Sequence, residues 1–201
     1  MEVIQAIQGG DLEGLKRLVA ADPGAADQRN EAGIPAVLFA LYFRRRDMAD
    51  LLLAAGAAVD LPIACALGLA DQAAAMLDKK PDLVSLRSSD GWTALHLAAF
   101  FGQPMTARLL LERGADPLAR SENTMANLPL HAAAAARQAE IVKMLLAAGT
   151  PADARQQGGN TAMHSAAQNG DLATLEVLRA YDGRMDSPND AGTTPADLLG
   201  A

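Results

Sequence analysis

The chain has 201 residues, half of them hydrophobic and only seven aromatic, with a net charge of −7. That length and apolar content suffice for a buried core built from small and aliphatic side chains, while the acidic balance argues against a binder of phosphate backbones, which needs a basic stripe. The lone Cys65 allows no internal disulfide, the start MEVIQAIQGGDLEG lacks the marks of a secretory signal, and no apolar run approaches a membrane span; the expectation is a soluble, cytoplasmic protein.

In chain order, IQAIQGGDLEGLKRLVAADPG predicts two short helices parted near Gly10. A template then recurs. It reads GIPAVLFALYFRRRDMADLLLAAGAAVD from Gly33, GWTALHLAAFFGQPMTARLLLERGAD from Gly91, ANLPLHAAAAARQAEIVKMLLAAGTPAD from Ala126 and GNTAMHSAAQNGDLATLEVLRAYDG from Gly159. A landmark in mid-unit falls at Gly10, Arg44, Gly68, Gly102, Arg137 and Gly170, with near-constant steps except the one from Arg44 to Gly68, which is about a finger short. In each unit Thr93 or Thr161 stands where an N-cap hydroxyl is wanted, and Leu95, Leu97 and Ala98, or Met163, Ala166 and Ala167, follow at helical spacing. Gly102 and Gly170 stop that first helix. A second helix carries Leu109, Leu110 and Leu111, or Ile141, Val142, Leu145 and Leu146. Gly114 and Gly149 then supply a left-handed cap, a place that Asp182 takes in the last full unit. One helix pair has too little surface to fold alone, so neighbouring units must supply the core.

TALH at 93–96, LPLH at 128–131, TAMH at 161–164 and TTPAD at 193–197 resemble the TPLH tetrapeptide of ankyrin repeats, and LLLERGAD, MLLAAGTPAD and LLLAAGAAVD resemble that family's unit ending. The resemblance covers essentially the whole chain. It implies an all-α, ankyrin-repeat solenoid of stacked helix-turn-helix units with short β-hairpin fingers, one finger missing. The concave face is then formed by the fingers and first helices. Residues 1–201 make one domain: an N-terminal cap unit at 1–29, helix-pair units at 30–58, 59–87, 88–122, 123–155 and 156–188, and a partial cap at 189–201.

Departures from the template carry expectations of their own. The unit 59–87 has about nine residues fewer before its first helix, so the stretch from Gly56 to Leu61 should be a tight link without a hairpin. SENTMAN, 121–127, belongs to a stretch two residues longer than the template and should project beyond its neighbours. Arg44, Arg45 and Arg46 replace the usual Gly and its neighbours, as either a solvated basic turn or a contact for an acidic partner.

Three histidines invite a catalytic or metal reading. His96, His131 and His164 each hold the same place in their own unit, so a stack sets neighbours roughly 10 Å apart by helix-packing distances, too far for shared ligation at about 2 Å. The resemblance instead gives each a structural role, tying its first helix to adjoining loops. Cys65, within IACALGL, reads as a buried small hydrophobe rather than a nucleophile. Asp90, Asp116 and Asp171 read as acceptors for local backbone N–H groups. No catalytic, cofactor or metal site is expected.

What remains is recognition of a protein. In the repeat frame Tyr42, Phe43, Phe100 and Phe101 fall at first-helix ends, Trp92 at a finger base and Tyr181 before the late-Gly place, while Phe39 alone takes a core position. Tyr42, Phe43, Leu67, Trp92, Phe100 and Phe101 are expected to form one apolar patch on the concave side, with Met125 on the long finger as a further partner-binding residue. The competing expectation is that the rings fill the hole left by the missing finger. The sequence thus predicts a non-enzymatic, monomeric module that binds an unidentified protein and neither nucleic acid nor membrane. A dedicated inhibitor or immunity-type protein is the alternative, and a self-associating structural element the third reading.

Overall fold

In the computed structural model, which describes residues 2–199, thirteen α-helices follow one another and no strand forms among the described residues. Six pairs stack in chain order. They are α1 (Glu2–Gly9) with α2 (Leu12–Ala21), α3 (Ala36–Tyr42) with α4 (Arg46–Ala54), and α5 (Leu61–Leu67) with α6 (Ala70–Lys79). Then come α7 (Ala94–Phe100) with α8 (Pro104–Glu112), α9 (Pro129–Ala135) with α10 (Ala139–Ala147), and α11 (Ala162–Gln168) with α12 (Leu172–Arg179). The four-residue α13 (Pro195–Leu198) closes the stack as a half unit. Each first helix packs on the next, from α1 against α3 through to α11 against α13. Alanines fill much of this seam: Ala98, Ala99, Ala133, Ala134, Ala166 and Ala167 are all buried, and their small side chains let the helices approach closely. Leu110, Leu145 and Leu178 on the second helices are fully buried and lock each pair to its neighbours.

Punctuation by left-handed residues is complete. All six mid-unit landmarks have positive φ, whether glycine (Gly10, Gly68, Gly102, Gly170) or arginine (Arg44 at 55°, Arg137 at 60°). The late position repeats the pattern in Gly56, Gly114, Gly149 and Asp182, the last at 63°. A Cβ in this region costs roughly 1–2 kcal/mol, so the arginines and Asp182 carry strain that glycine would not.

The expected β-hairpin fingers are turns rather than paired strands, with isolated β-bridges only at Arg29–Pro35 and Arg87–Thr93 among the described residues. Four of the fingers are tied to one another. Glu122 N–H donates to the Gly91 carbonyl, Gln157 N–H to that of Met125, and Asp190 N–H to that of Gly158, each within 3.0 Å. The approach is close enough that a Cβ on Gly91 would lie 2.8 Å from the Glu122 carbonyl carbon. SENTMAN is therefore gripped from both sides. Its extra length closes on itself, with Ser121 N–H donating to Asn127 O and Asn123 Oδ1 accepting from Met125 N–H.

The stretch 56–60 is the tight link that the sequence predicts. Ala57 N–H returns to Leu52 O, Ala58 N–H is held by Asp27 Oδ1 at 2.7 Å, and the Asp60 carboxylate caps α5 by accepting from Ile63 N–H. With no finger of its own, α5 is covered by its neighbours, and all seven of its residues are buried. Fingers 29–35 and 86–93 close towards each other above its start, around a cavity of about 110 Å³ lined by Leu38, Pro62, Ile63 and Ser89.

Candidate functional site

The aromatic residues gather where the finger is missing. Tyr42, at the end of α3, reaches past α5 to the unit of α7: its ring lies 5.4 Å from that of Phe101, 6.2 Å from Phe100 and 6.3 Å from Trp92. Trp92 meets Phe100 edge-on at 5.3 Å, and Phe100 meets Phe101 edge-on at 5.2 Å, the geometry that the ring quadrupoles favour. The Tyr42 hydroxyl donates to Asp90 Oδ2 at 2.5 Å, and the Ser88 hydroxyl donates to the other oxygen of the same carboxylate. Asp90 thus serves two hydroxyls rather than the local backbone N–H groups expected of it. Burial, reinforced by the Asp90 charge, pushes the Tyr42 phenol well above its ordinary value, so the ring stays a neutral donor.

The expected single patch is divided. Leu67 and Trp92 are buried; Tyr42, Phe100 and Phe101 are half-buried; Phe43 is 44% exposed. Phe43 turns to Phe39, at 4.8 Å between ring centres, on the side facing the first unit. There a groove of about 490 Å³ runs between α1 and the finger 29–35, lined by Ile4, Gln5, Gln8 and Phe39. Met125 is exposed on the long finger, and Tyr181 stands apart from the cluster with no ring neighbour among the described residues. Both sequence expectations for the aromatics therefore find material in the geometry: Tyr42 and Trp92 bridge the gap, and Phe43 and the faces of Phe100 and Phe101 remain at the surface.

Beside this edge lies the basic corner. Arg46 pairs with Asp50 at 2.8 Å. The Arg45 guanidinium lies over Gly10, so close that a Cβ there would stand 2.6 Å from it. The side chains of Arg44 and Arg45 make no hydrogen bond or ion pair among the described residues.

The histidines are structural. The Thr93 backbone N–H donates to His96 Nδ1, which leaves the proton on Nε2 to be donated to Asn127 O at 3.0 Å. His131 spans from Leu128 N–H to Ala154 O, and His164 from Thr161 N–H to Thr193 O, in the same manner. Burial lowers His96 and His131 to about 4, although their backbone bonds pull the other way. In the last half unit Asp197 replaces the histidine and accepts from Thr194 N–H and hydroxyl. Burial, helped by Asp60, pushes the Cys65 thiol up to about 12, which suits a packing role. Asp171 Oδ1 accepts from Thr174 N–H and Asp116 Oδ1 from Leu118 N–H, as local acceptors should.

One further device links the fingers. Arg87, Arg120 and Arg155 each donate to the carbonyl of the left-handed residue of their own finger (Gly91, Ala126, Gly159) and also to a backbone carbonyl of the next (Arg120, Arg155, Pro188). Arg29 makes only the first kind of bond, to Gly33 O. The signal was present as an arginine at the same place in four fingers.

A family model described as "Ankyrin repeats (3 copies)" matches residues 3–121 and again 118–190. The chain belongs to the ankyrin-repeat family. Among curated proteins, NF-kappa-B inhibitor alpha of Gallus gallus is 37% identical over 96 residues, 47% of this chain and 30% of that protein. Human Inversin is 29% identical over 196 residues, 96% of this chain and 16% of that protein. Glycerophosphocholine phosphodiesterase gde1 of Schizosaccharomyces pombe is 36% identical over 96 residues, but these are 8% of its length. The ankyrin chain thus spans less than a third of each of these relatives. Membership supports a module for protein interaction, and among the described residues no helix is long and apolar enough to cross a membrane.

Proposed function

We propose that this ankyrin chain is a non-enzymatic, monomeric module of the cytoplasm that holds one protein partner on the edge where Tyr42, Phe43, Phe100 and Phe101 surface, with Leu67 and Trp92 beneath them and Met125 on the neighbouring finger. The observation that carries this reading is Phe43, 44% exposed at the end of a buried helix and following Tyr42, whose half-buried ring meets those of Phe100 and Phe101, in a chain with seven aromatics altogether. Large rings left accessible on a rigid support bind at little entropic cost, and such anchors dominate protein interfaces. A dedicated inhibitor is the second reading, supported by the added length of the finger 121–127; its mark is that the captured partner loses activity. The test compares the wild-type chain with Phe43→Ser as bait in extract of the native cells. A protein retained by the first and lost by the second, with melting temperatures equal, is the expected result. Identical retention by both baits overturns this face as the binding site.

A further inference from the structure

Resting on that reading, we infer that the partner presents an acidic segment with a bulky apolar side chain, and that the Phe43–Arg44–Arg45 corner is where it docks. Arg44 and Arg137 occupy equivalent places and pay the same left-handed strain where four other units use glycine. Arg137 has a structural return, since its guanidinium donates to Asn169 O in the next unit. Arg44 has none among the described residues: its head group is unpaired, and a glycine would serve the backbone better. Strain without a structural return, next to the exposed Phe43, belongs to a residue kept for an external contact.

Charge selects the partner. Within a chain of net charge −7, three successive arginines stand at one turn. Asp50 answers Arg46, and Asp47 sits in the first turn of α4, but no acid pairs with Arg44 or Arg45 among the described residues. Asp90 accepts from the Tyr42 and Ser88 hydroxyls and forms no ion pair with Arg44 or Arg45 among the described residues. A carboxylate from outside meets the free guanidinium forks of this turn, while its apolar neighbour meets the exposed Phe43.

The proposal is tested with a displayed library of random twelve-residue peptides, panned on the full chain and counter-selected on Phe43→Ser. The enriched peptides are then synthesised and titrated by fluorescence anisotropy. Acidic peptides bearing an aromatic or Leu side chain should be enriched. They should bind Arg44→Gly roughly tenfold more weakly, although that variant melts no lower than wild type, a pairing that a merely structural role for Arg44 does not produce. Peptides without excess acid, or with equal affinity for Arg44→Gly, overturn the acidic partner and leave the aromatic face standing. No peptide preferring wild type over Phe43→Ser overturns both.

Discussion

From Ser88 to Thr193 the fingers are laced by backbone hydrogen bonds, by forward-donating arginines at the bases of the first three, and by the histidine struts of α7, α9 and α11. Between residues 29 and 92 none of these devices continues across the stack; Arg29 serves its own finger, and α4 and α6 are not among the helix pairs in close contact. The fold is completed there by side chains: the Tyr42 ring and hydroxyl crossing to Trp92 and Asp90, and the all-round burial of α5. Backbone lacing tolerates sequence change, because any residue supplies the N–H and C=O. A side-chain clasp does not, and it fixes which residues must stay at that junction.

Acid should act most strongly, and on the laced half. His96 and His131 are held neutral near 4 in the folded chain but protonate near 6.5 when it unfolds. The unfolded state therefore binds more protons between those values, and stability present above about pH 6.5 is lost as pH falls towards 4. Hydrogen exchange should show α7 and α9 losing protection in this window, and a midpoint of urea unfolding that is flat from pH 7 to 4 contradicts the strut.

Leu110→Ala on the laced side should cost about 2–5 kcal/mol, as for other buried leucines, and should lower the denaturant midpoint accordingly. Tyr42→Phe at the clasp should cost about 1.5–3 kcal/mol, the worth of a hydrogen bond to a charged group. Its signature is local: exchange should speed in α1 to α4 more than in α9 to α12. Uniform acceleration would mean that the junction is no weaker than the rest. The smallest effect is a gain. Ala126 holds φ at 43° where other fingers carry Gly33, Gly91, Gly159 and Gly192, so Ala126→Gly should raise stability by roughly 1 kcal/mol, read as a higher melting temperature.

Much of this was legible in the sequence because a repeat reports the same position several times. The six landmarks, Asp182 in a glycine's place and the missing finger at 56–60 follow from spacing alone, and the backbone carries each of them as read. The Tyr42–Asp90 contact did not follow, since it joins residues 48 apart across a unit that breaks the period. Nor did the split of the aromatic patch: the sequence places Phe43 and Tyr42 side by side, but the helix turns one ring towards Phe39 and the other towards Phe101. The length of SENTMAN predicts a projection, and length alone does not show which backbone groups hold it. Gly91 and Gln157 both reach it.

The direction of the arginine bonds bears on how such a chain can grow or shrink through gene rearrangement. Every link runs from one finger's guanidinium to a carbonyl of the next, as from Arg155 to Pro188 at the start of the finger 189–193. Excising one cassette between Arg120 and Arg155 brings a donor of the same kind to an acceptor of the same kind, and duplicating it adds a rung. The junction at Tyr42 has no such interchangeable ends. Loss or gain of a whole unit therefore keeps the arginine lacing of the carboxyl-terminal half intact, whereas a cut within residues 29–92 breaks the Tyr42 clasp.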